Sequence, residues 1–432
     1  MNRKFFLFLY LFALVGIIGA CEKDDDNDDI DKSSNNNLSE VQIVNREIYK
    51  LMKDIYLWND QLPEVDPTTY GSPQALLNDL RYAPYDRWST VMSKQEFQQY
   101  FEQGQMAGHG FLLSVDAQDN IRIAFVYRNT QAYQEGVRRS WIIETVNGRE
   151  ATTSNIFELL GADDEGLTNA IGFLSPDGNP QVITLTKELI NINAVLHAEV
   201  INYQEINVGY MVFQDFIENS KREIDSVFTD FKNAGITELV IDLRYNGGGS
   251  VDVAENIAAW IGGASQTNEV FYKFTHNENY SAMDTTVYFR SNPSAISLDR
   301  VYFITTEGSA SASEMLINGL EPFYNVRLAG ATTHGKPVGM YAMTFTDYNY
   351  TVLPISFKYE NANDYGDFFD GIPVDIPASD DVTHMFGDPE EASLKAVLND
   401  IAGTTTKAAV FPERSRMLLP SDKGIFEVRR AY

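Results

Sequence analysis

From Leu38 to about Ala107 the apolar positions fall at helical spacing. Val41, Val44, Ile48, Leu51, Met52 and Ile55 recur three and four residues apart, which predicts an amphipathic helix with one buried stripe. Tyr56, Leu57 and Trp58 carry the stripe into a turn closed by Pro63 and Pro67. A second helical run, Pro73 to Tyr82, puts Leu76, Leu77 and Leu80 on one side, and Asp86 to Ser89 leads into a third, Lys94 to Gln103. Trp58 and Trp88 read as core residues. Between residue 108 and about residue 188 the pattern changes to short β-like runs, among them Phe111 to Val115, Ile121 to Val126 and Val182 to Thr186.

Beyond Ile190 strand and helix patterns alternate. Ile206 to Phe213 reads as a strand, and Ser220 to Ala234 as an amphipathic helix with Ile224, Val227, Phe228 and Phe231 on one face and Gly235 as its C-cap. Thr237 to Leu243 is an apolar, buried strand. The unit repeats at Val251 to Ile261, Val301 to Thr306 and Ser313 to Leu320, which predicts an α/β core with parallel pairing and right-handed crossovers. Alternating aromatics from Tyr341 to Tyr359 predict extended strands, and Glu390 to Ile401 a closing helix. From Gly403 onward, a tail with Arg414, Arg416, Arg429 and Arg430, no pattern is readable.

Composition narrows the function classes. With 432 residues, 44% hydrophobic and 12% aromatic, the chain is long enough for two or three domains with a substantial core. A net charge of −28 argues against a nucleic-acid partner, since duplex binding rests on basic neutralisation of phosphates. At the start, Arg3 and Lys4 precede the apolar run Phe5 to Ala20, which ends in small residues before Cys21. This is a targeting segment over residues 1–20, somewhat short for a spanning helix of about 20 residues. Ile18-Gly19-Ala20-Cys21 resembles a bacterial lipobox. That resemblance implies lipidation of Cys21, a lipid anchor to the membrane, and a place in the cell envelope of a Gram-negative bacterium, periplasmic or surface-exposed. Cys21 is the sole cysteine, so neither an intrachain disulfide nor a multi-thiolate metal site is available. Residues 21–37 form an acidic, low-complexity tether.

The stretch with most chemistry is Gly308 to Lys336. The strand-like run Val301 to Thr306 leads through small residues into a helix, so Ser309, Ser311 and Ser313 lie at a strand-to-helix corner. Unpaired N–H groups and the dipole of a helix N-terminus favour a developing alkoxide or oxyanion there, provided that a base stands nearby. The same serines also suit a helix cap. Two bases compete, Lys336 and His334, and on an extended segment positions 334 and 336 share a face. A lysine serves as general base near neutral pH only where its charged form is disfavoured.

The stretch Ser309-Ala310-Ser311-Ala312-Ser313-Glu314, the helix with Gly319, a strand at Val326 to Gly330 and then Thr332-Thr333-His334-Gly335-Lys336 together resemble the active-site signature of the C-terminal processing peptidases, the serine proteases of family S41. Ile241 to Gly249 resembles the family's strand and glycine turn, and Gly371 to Asp375 its late element. The resemblance covers residues 40–400. It implies Ser311 as nucleophile and, 25 positions on, Lys336 as general base rather than His334. It places the oxyanion donors at the N–H of Ala312 and in the glycine turn, at Gly249 with Gly248 behind it, Gly247 being a reversal of the chain. Glu314 and Thr333 are supporting, and Asp242 and Arg244 structural pairs.

Gly108-His109-Gly110-Phe111 is similar to the loop with which a PDZ domain holds a peptide carboxylate, and Ala132 to Gly148 to the helix, strand and turn that follow it. Consecutive backbone donors form an anion nest and a free strand edge accepts an added strand. The fold class implied is a multidomain α/β protein: an N-terminal helical segment at 38–107, a PDZ-like β-rich domain at 108–189, a crotonase/ClpP-like α/β S41 peptidase core at 190–402, and a tail at 403–432. The expected function is a lipid-anchored serine endopeptidase that takes protein or peptide substrates by their C-termini through a serine and lysine dyad, with no metal or organic cofactor. Catalytically weak or inactive peptide binding is the alternative. Its support is Met340, which stands where the family often has a glutamine that orients the base; a methionine cannot donate that hydrogen bond.

Overall fold

The structure, a computed structural model, describes residues 38–404 and 415–419. The leader, Cys21, the tether to residue 37 and most of the tail lie outside the described residues. The chain divides into two compact units, the first made of residues 38–97, 275–284 and 338–358, and the second of 98–274, 285–337 and 359 onward.

In the first unit the helix Glu40–Ile55 begins with a capping box: Ser39 Oγ accepts the Gln42 N–H at 3.3 Å while Gln42 Oε1 accepts the Ser39 N–H at 3.0 Å. Its buried face is the expected stripe, with Val44, Ile48, Met52 and Ile55 inside. The helix Pro73–Leu80, capped by Ser72, buries Leu76, Leu77 and Leu80 beside it. Residues 38–107 are less uniformly helical than expected. Thr90–Met92 is a strand, antiparallel to Tyr350–Leu353, which in turn pairs with Met343–Phe345. Its partner lies some 260 residues on, beyond the reach of a local periodicity. Met340, buried, ends the strand Val338–Met340 of this unit and is paired with Ile355.

The two larger sheets belong to the second unit. One is antiparallel, in the order Arg416–Leu418, Phe111–Val115, Ile121–Val126, Ile142–Val146, Thr168–Leu174 and Pro180–Thr186, with Ile123, Val146, Ile171 and Phe173 in its core. The outermost strand comes from the tail, where no pattern was readable. In the other sheet Val195–Tyr203 is antiparallel to Ile206–Phe213, and from there Glu238–Asp242, Arg300–Thr305, Asn325–Gly330 and Ile376–Pro377 follow in parallel.

Between the parallel strands run the helices Ser220–Ala234, Val251–Gly262 and Ala312–Leu320. The first buries Ile224, Phe228 and Phe231 and ends at Gly235 in the left-handed conformation, as expected. The glycine turn, the serine corner and the Thr332–Lys336 segment each follow the carboxyl end of one of three adjacent parallel strands, where open α/β sheets gather their sites.

Candidate active site

The three serines of the corner divide by what their hydroxyls do. Ser309 Oγ donates to the Leu243 carbonyl at 2.8 Å and accepts the Thr306 N–H at 3.0 Å, so it ties the corner to the neighbouring strand. Ser313 Oγ donates to the Asn246 carbonyl at 3.1 Å. Both are structural. Ser311 is the N-cap of the helix Ala312–Leu320, in a capping box with Glu314, and has φ 55° and ψ −116°. A non-glycine residue there costs roughly 1–3 kcal/mol and persists only where its surroundings over-determine it.

Those surroundings are one carboxylate and one phenol. Glu314, fully buried, accepts the Ser311 N–H at 3.0 Å and the Lys336 N–H at 2.8 Å on Oε2, and the Gly335 N–H and the Thr333 hydroxyl, each at 2.6 Å, on Oε1. Burial pushes its carboxyl above the ordinary range, against those four bonds, which act the other way. Across from it the Tyr359 hydroxyl lies 2.9 Å from the Lys336 carbonyl oxygen and 3.2 Å from that of Ser311, its single proton shared between them. Burial, with the Glu314 charge adding to it, raises this phenol well above its usual range, so it remains a donor. The main chains of Ser311 and Lys336 are thus clamped from two sides. Lys336 is 0% exposed and Ser311 6%.

Thr333 also accepts the Ile372 N–H at 2.7 Å, which docks the segment Gly371 to Asp375 onto the Thr332–Lys336 segment. The two backbones touch: at Gly335, φ 86°, a Cβ would lie 2.4 Å from the Phe369 carbonyl oxygen and 2.6 Å from the Gly371 nitrogen. The half-buried His334 points its Nδ1 at the Glu307 carbonyl oxygen, 3.3 Å away.

The glycine turn comes up against the serine. At Gly248, φ 110°, a Cβ would sit 2.7 Å from the Ser311 Cβ, 2.9 Å from the Ala310 carbonyl oxygen and 3.1 Å from the Ala312 nitrogen. One expectation needs correcting here. The Gly248 N–H is already donated to Asn246 Oδ1 at 2.9 Å, so Gly248 supplies close approach and not an oxyanion donor. Gly249 differs. It forms a parallel bridge with Phe216, whose own N–H and C=O bond to Gly248 and Ser250, so the Gly249 N–H is turned away from that pairing.

Asp242 and Arg244 lie in a buried network in which Arg244, its side chain 0% exposed, also reaches Glu391 at 2.7 Å and Asp380 at 3.0 Å. Of the other expected residues, Gly108 ends a strand paired with Glu188, His109 is buried with Nε2 2.8 Å from Asn169 Oδ1, Gly110 accepts the Tyr127 N–H at 2.8 Å, and Phe111 opens the strand Phe111–Val115. Reading the sequence missed Tyr359, Asn246 and the tail strand. Only the aromatic alternation around Tyr359 carried any signal.

Residues 207–378 match peptidase family S41, and residues 44–90 match the peptidase S41 N-terminal domain. Two relatives are CtpA-like serine proteases by name. That of Staphylococcus saprophyticus is 23% identical over 308 residues, covering 70% of this chain and 58% of the relative. That of Staphylococcus aureus strain COL is 22% identical over 327 residues, covering 74% and 60%. The chain therefore spans about three-fifths of the length of these relatives. A crystal structure from Bacteroides fragilis bearing the name S41 protease shares the fold, with a TM-score of 0.70, 24% identity, and coverage of 83% of this chain and 98% of that one. A photosystem II D1 C-terminal processing protease shares it more distantly, with a TM-score of 0.50, 17% identity, and coverage of 79% and 93%.

Proposed function

The chain belongs to peptidase family S41, and from that premise we propose that it is a serine endopeptidase of the C-terminal processing type, with Ser311 as nucleophile and Lys336 as general base. The observation that carries the reading is the double clamp: Glu314 binds the N–H groups, and Tyr359 the carbonyls, of these two residues. Burial disfavours an ammonium group, so a wholly buried Lys336 suits the neutral amine that a base must present. That amine takes the Ser311 proton as Oγ attacks the scissile carbonyl. The oxyanion forms against the N–H groups of Ala312 and Gly249, the ammonium returns its proton to the departing amine, and water then hydrolyses the serine ester.

The supporting residues Glu314 and Thr333 position the dyad without touching substrate. Gly108 to Phe111 would receive a substrate's terminal carboxylate. Cys21 would carry a lipid that keeps the enzyme at the cell envelope. Met340 leaves the base without the amide donor often found at that position, and the Tyr359 clamp supplies an orientation that does not depend on it.

The test is digestion of an unfolded protein with an apolar C-terminus by the chain from residue 38, beside its Ser311→Ala and Lys336→Ala variants. Cleavage by the parent and by neither variant is expected. Retained cleavage in either variant removes the dyad assignment, and no cleavage by the parent favours peptide binding without catalysis.

A further inference from the structure

The loop Gly108 to Phe111 opens onto the strand Phe111–Val115, whose inner edge pairs with Ile121–Val126. Its outer edge is taken by the chain itself. Arg416, Met417 and Leu418 lie antiparallel to it, opposite Val115, Ser114 and Leu113, and the Ser114 hydroxyl donates to the Arg416 carbonyl at 3.0 Å. The direction matters: the tail strand runs toward the Gly108 to Phe111 loop, as a peptide approaching by its C-terminus would.

Alternate residues of a strand face opposite ways, so this short segment presents two apolar faces. Leu418 packs on the hydrophobic core of the β-rich sheet. Met417 and Leu419 turn to the other side, where they line a hollow with Leu112, Phe125, Gly247 and Gly248. Met417 Cε comes within 3.5 Å of the place a Cβ on Gly308 would occupy, three residues before Ser311. The segment therefore bridges the strand edge and the glycine turn that abuts the serine corner.

We propose that Ser415–Leu419 occupies this strand edge and hollow in cis, as a pseudo-substrate competing with the extended chain that the edge would otherwise accept. The ligand class follows from the occupant: an unfolded polypeptide with three successive apolar residues, one for the sheet core and the two flanking it for the hollow, held by main-chain bonds to Phe111–Val115. A tethered segment competes at an effective concentration in the millimolar range, so a substrate must be locally abundant or bind well to displace it. The consequence for turnover rests on the protease reading, whereas the occupancy does not.

The test separates the two. A fluorescein-labelled peptide Ser-Arg-Met-Leu-Leu is titrated by polarisation into the full chain carrying Ser311→Ala and Cys21→Ser, and into the same chain with Met417→Asp and Leu419→Asp. Both added substitutions fall on half-exposed residues, so the fold is not at risk. Binding at least tenfold tighter to the second chain is expected. A third chain carries Ser114→Cys and Met417→Cys at directly opposed positions, where a disulfide would lock the tail in place. It should refuse the peptide until reduced. Equal binding by all three chains, or no binding by the aspartate variant, overturns the proposal. Failure of the protease reading shows elsewhere, as absence of cleavage with Ser311 intact while these binding differences persist.

Discussion

Replacing Gly248 by alanine tests whether the glycine turn sets the position of the serine. Alanine at φ 110° costs roughly 1–3 kcal/mol in backbone strain. Its Cβ would also stand 2.7 Å from the Ser311 Cβ and 2.9 Å from the Ala310 carbonyl oxygen, an overlap that costs about 1–3 kcal/mol to relieve. Together these remove about 2–6 kcal/mol from a domain stability on the order of 5–15 kcal/mol. A fold that survives must shift the serine corner, and a displacement of about 1 Å is enough to cost roughly a hundredfold in rate. The assays are a urea midpoint and the rate at which a fluorophosphonate labels Ser311. The midpoint should fall by roughly 1–2 M, given a slope of about 3 kcal/mol per molar, and labelling by about a hundredfold. Gly71→Ala is the control, since nothing lies within 4 Å of a Cβ there and the expected change is within about 0.5 kcal/mol. If Gly248→Ala unfolds and labels as the parent does, the close approach does not govern the corner and the argument fails.

Two further outcomes follow from the same geometry. Tyr359→Phe leaves the buried carbonyls of Ser311 and Lys336 without their shared donor, so stability should drop by about 1–3 kcal/mol; fluorophosphonate labelling should slow at least tenfold in a chain whose circular dichroism is unchanged, and normal labelling would assign the clamp to packing alone. His109 is pushed below its ordinary value by burial, partly offset by Asn169. A folded value under the unfolded one of about 6.5 means that its contribution to stability is complete above that pH and is lost as pH falls through the folded value. The urea midpoint of His109→Gln should therefore change less between pH 7.5 and 5.0 than that of the parent, and parallel changes would refute the assignment.

What the sequence disclosed and what it withheld follow the range of the interactions. Parallel strands buried on both faces read as unbroken apolar runs, so Glu238–Asp242 and Arg300–Thr305 were legible. So was the helix Ser220–Ala234, whose apolar stripe and terminal glycine are local features. The serine corner was legible because small residues between strand and helix have a turn chemistry of their own. The strand Arg416–Leu418 was not, since three residues carry no period and their partner lies some 300 positions earlier. Residue types alone left Ser309, Ser311 and Ser313 open and only the resemblance singled out Ser311; the acceptors of Ser309 and Ser313, carbonyls of Leu243 and Asn246 on another strand and its turn, carry no signal in the sequence. The role of Asn246 is hidden for a similar reason: it holds the Gly248 N–H and the Phe213 carbonyl together, a link between segments that no spacing reveals.

The spacing between Ser311 and Lys336 has a structural origin. In the parallel pair Arg300–Thr305 and Asn325–Gly330, Arg300 faces Asn325 and Thr305 faces Gly330, so partners are always 25 residues apart. Ser311 and Lys336 are separated by the same 25, because each stands six residues beyond the last paired residue of its strand. Neighbouring strands lie about 4.8 Å apart, so equal excursions from one end of a ladder can bring two residues together. The excursions differ in kind, one a turn that enters a helix and the other an irregular segment that passes through Gly335 at φ 86°. Glu314 makes them end together: it lies on the helix, three residues after Ser311, and binds the main chain at Gly335 and Lys336 as well as at Ser311. The register supplies the coarse placement and the buried carboxylate the fine one. A residue count in the sequence therefore stands for a strand register in the fold, and a carboxylate like Glu314, bound to the main chain at both ends, is what turns that register into a fixed placement.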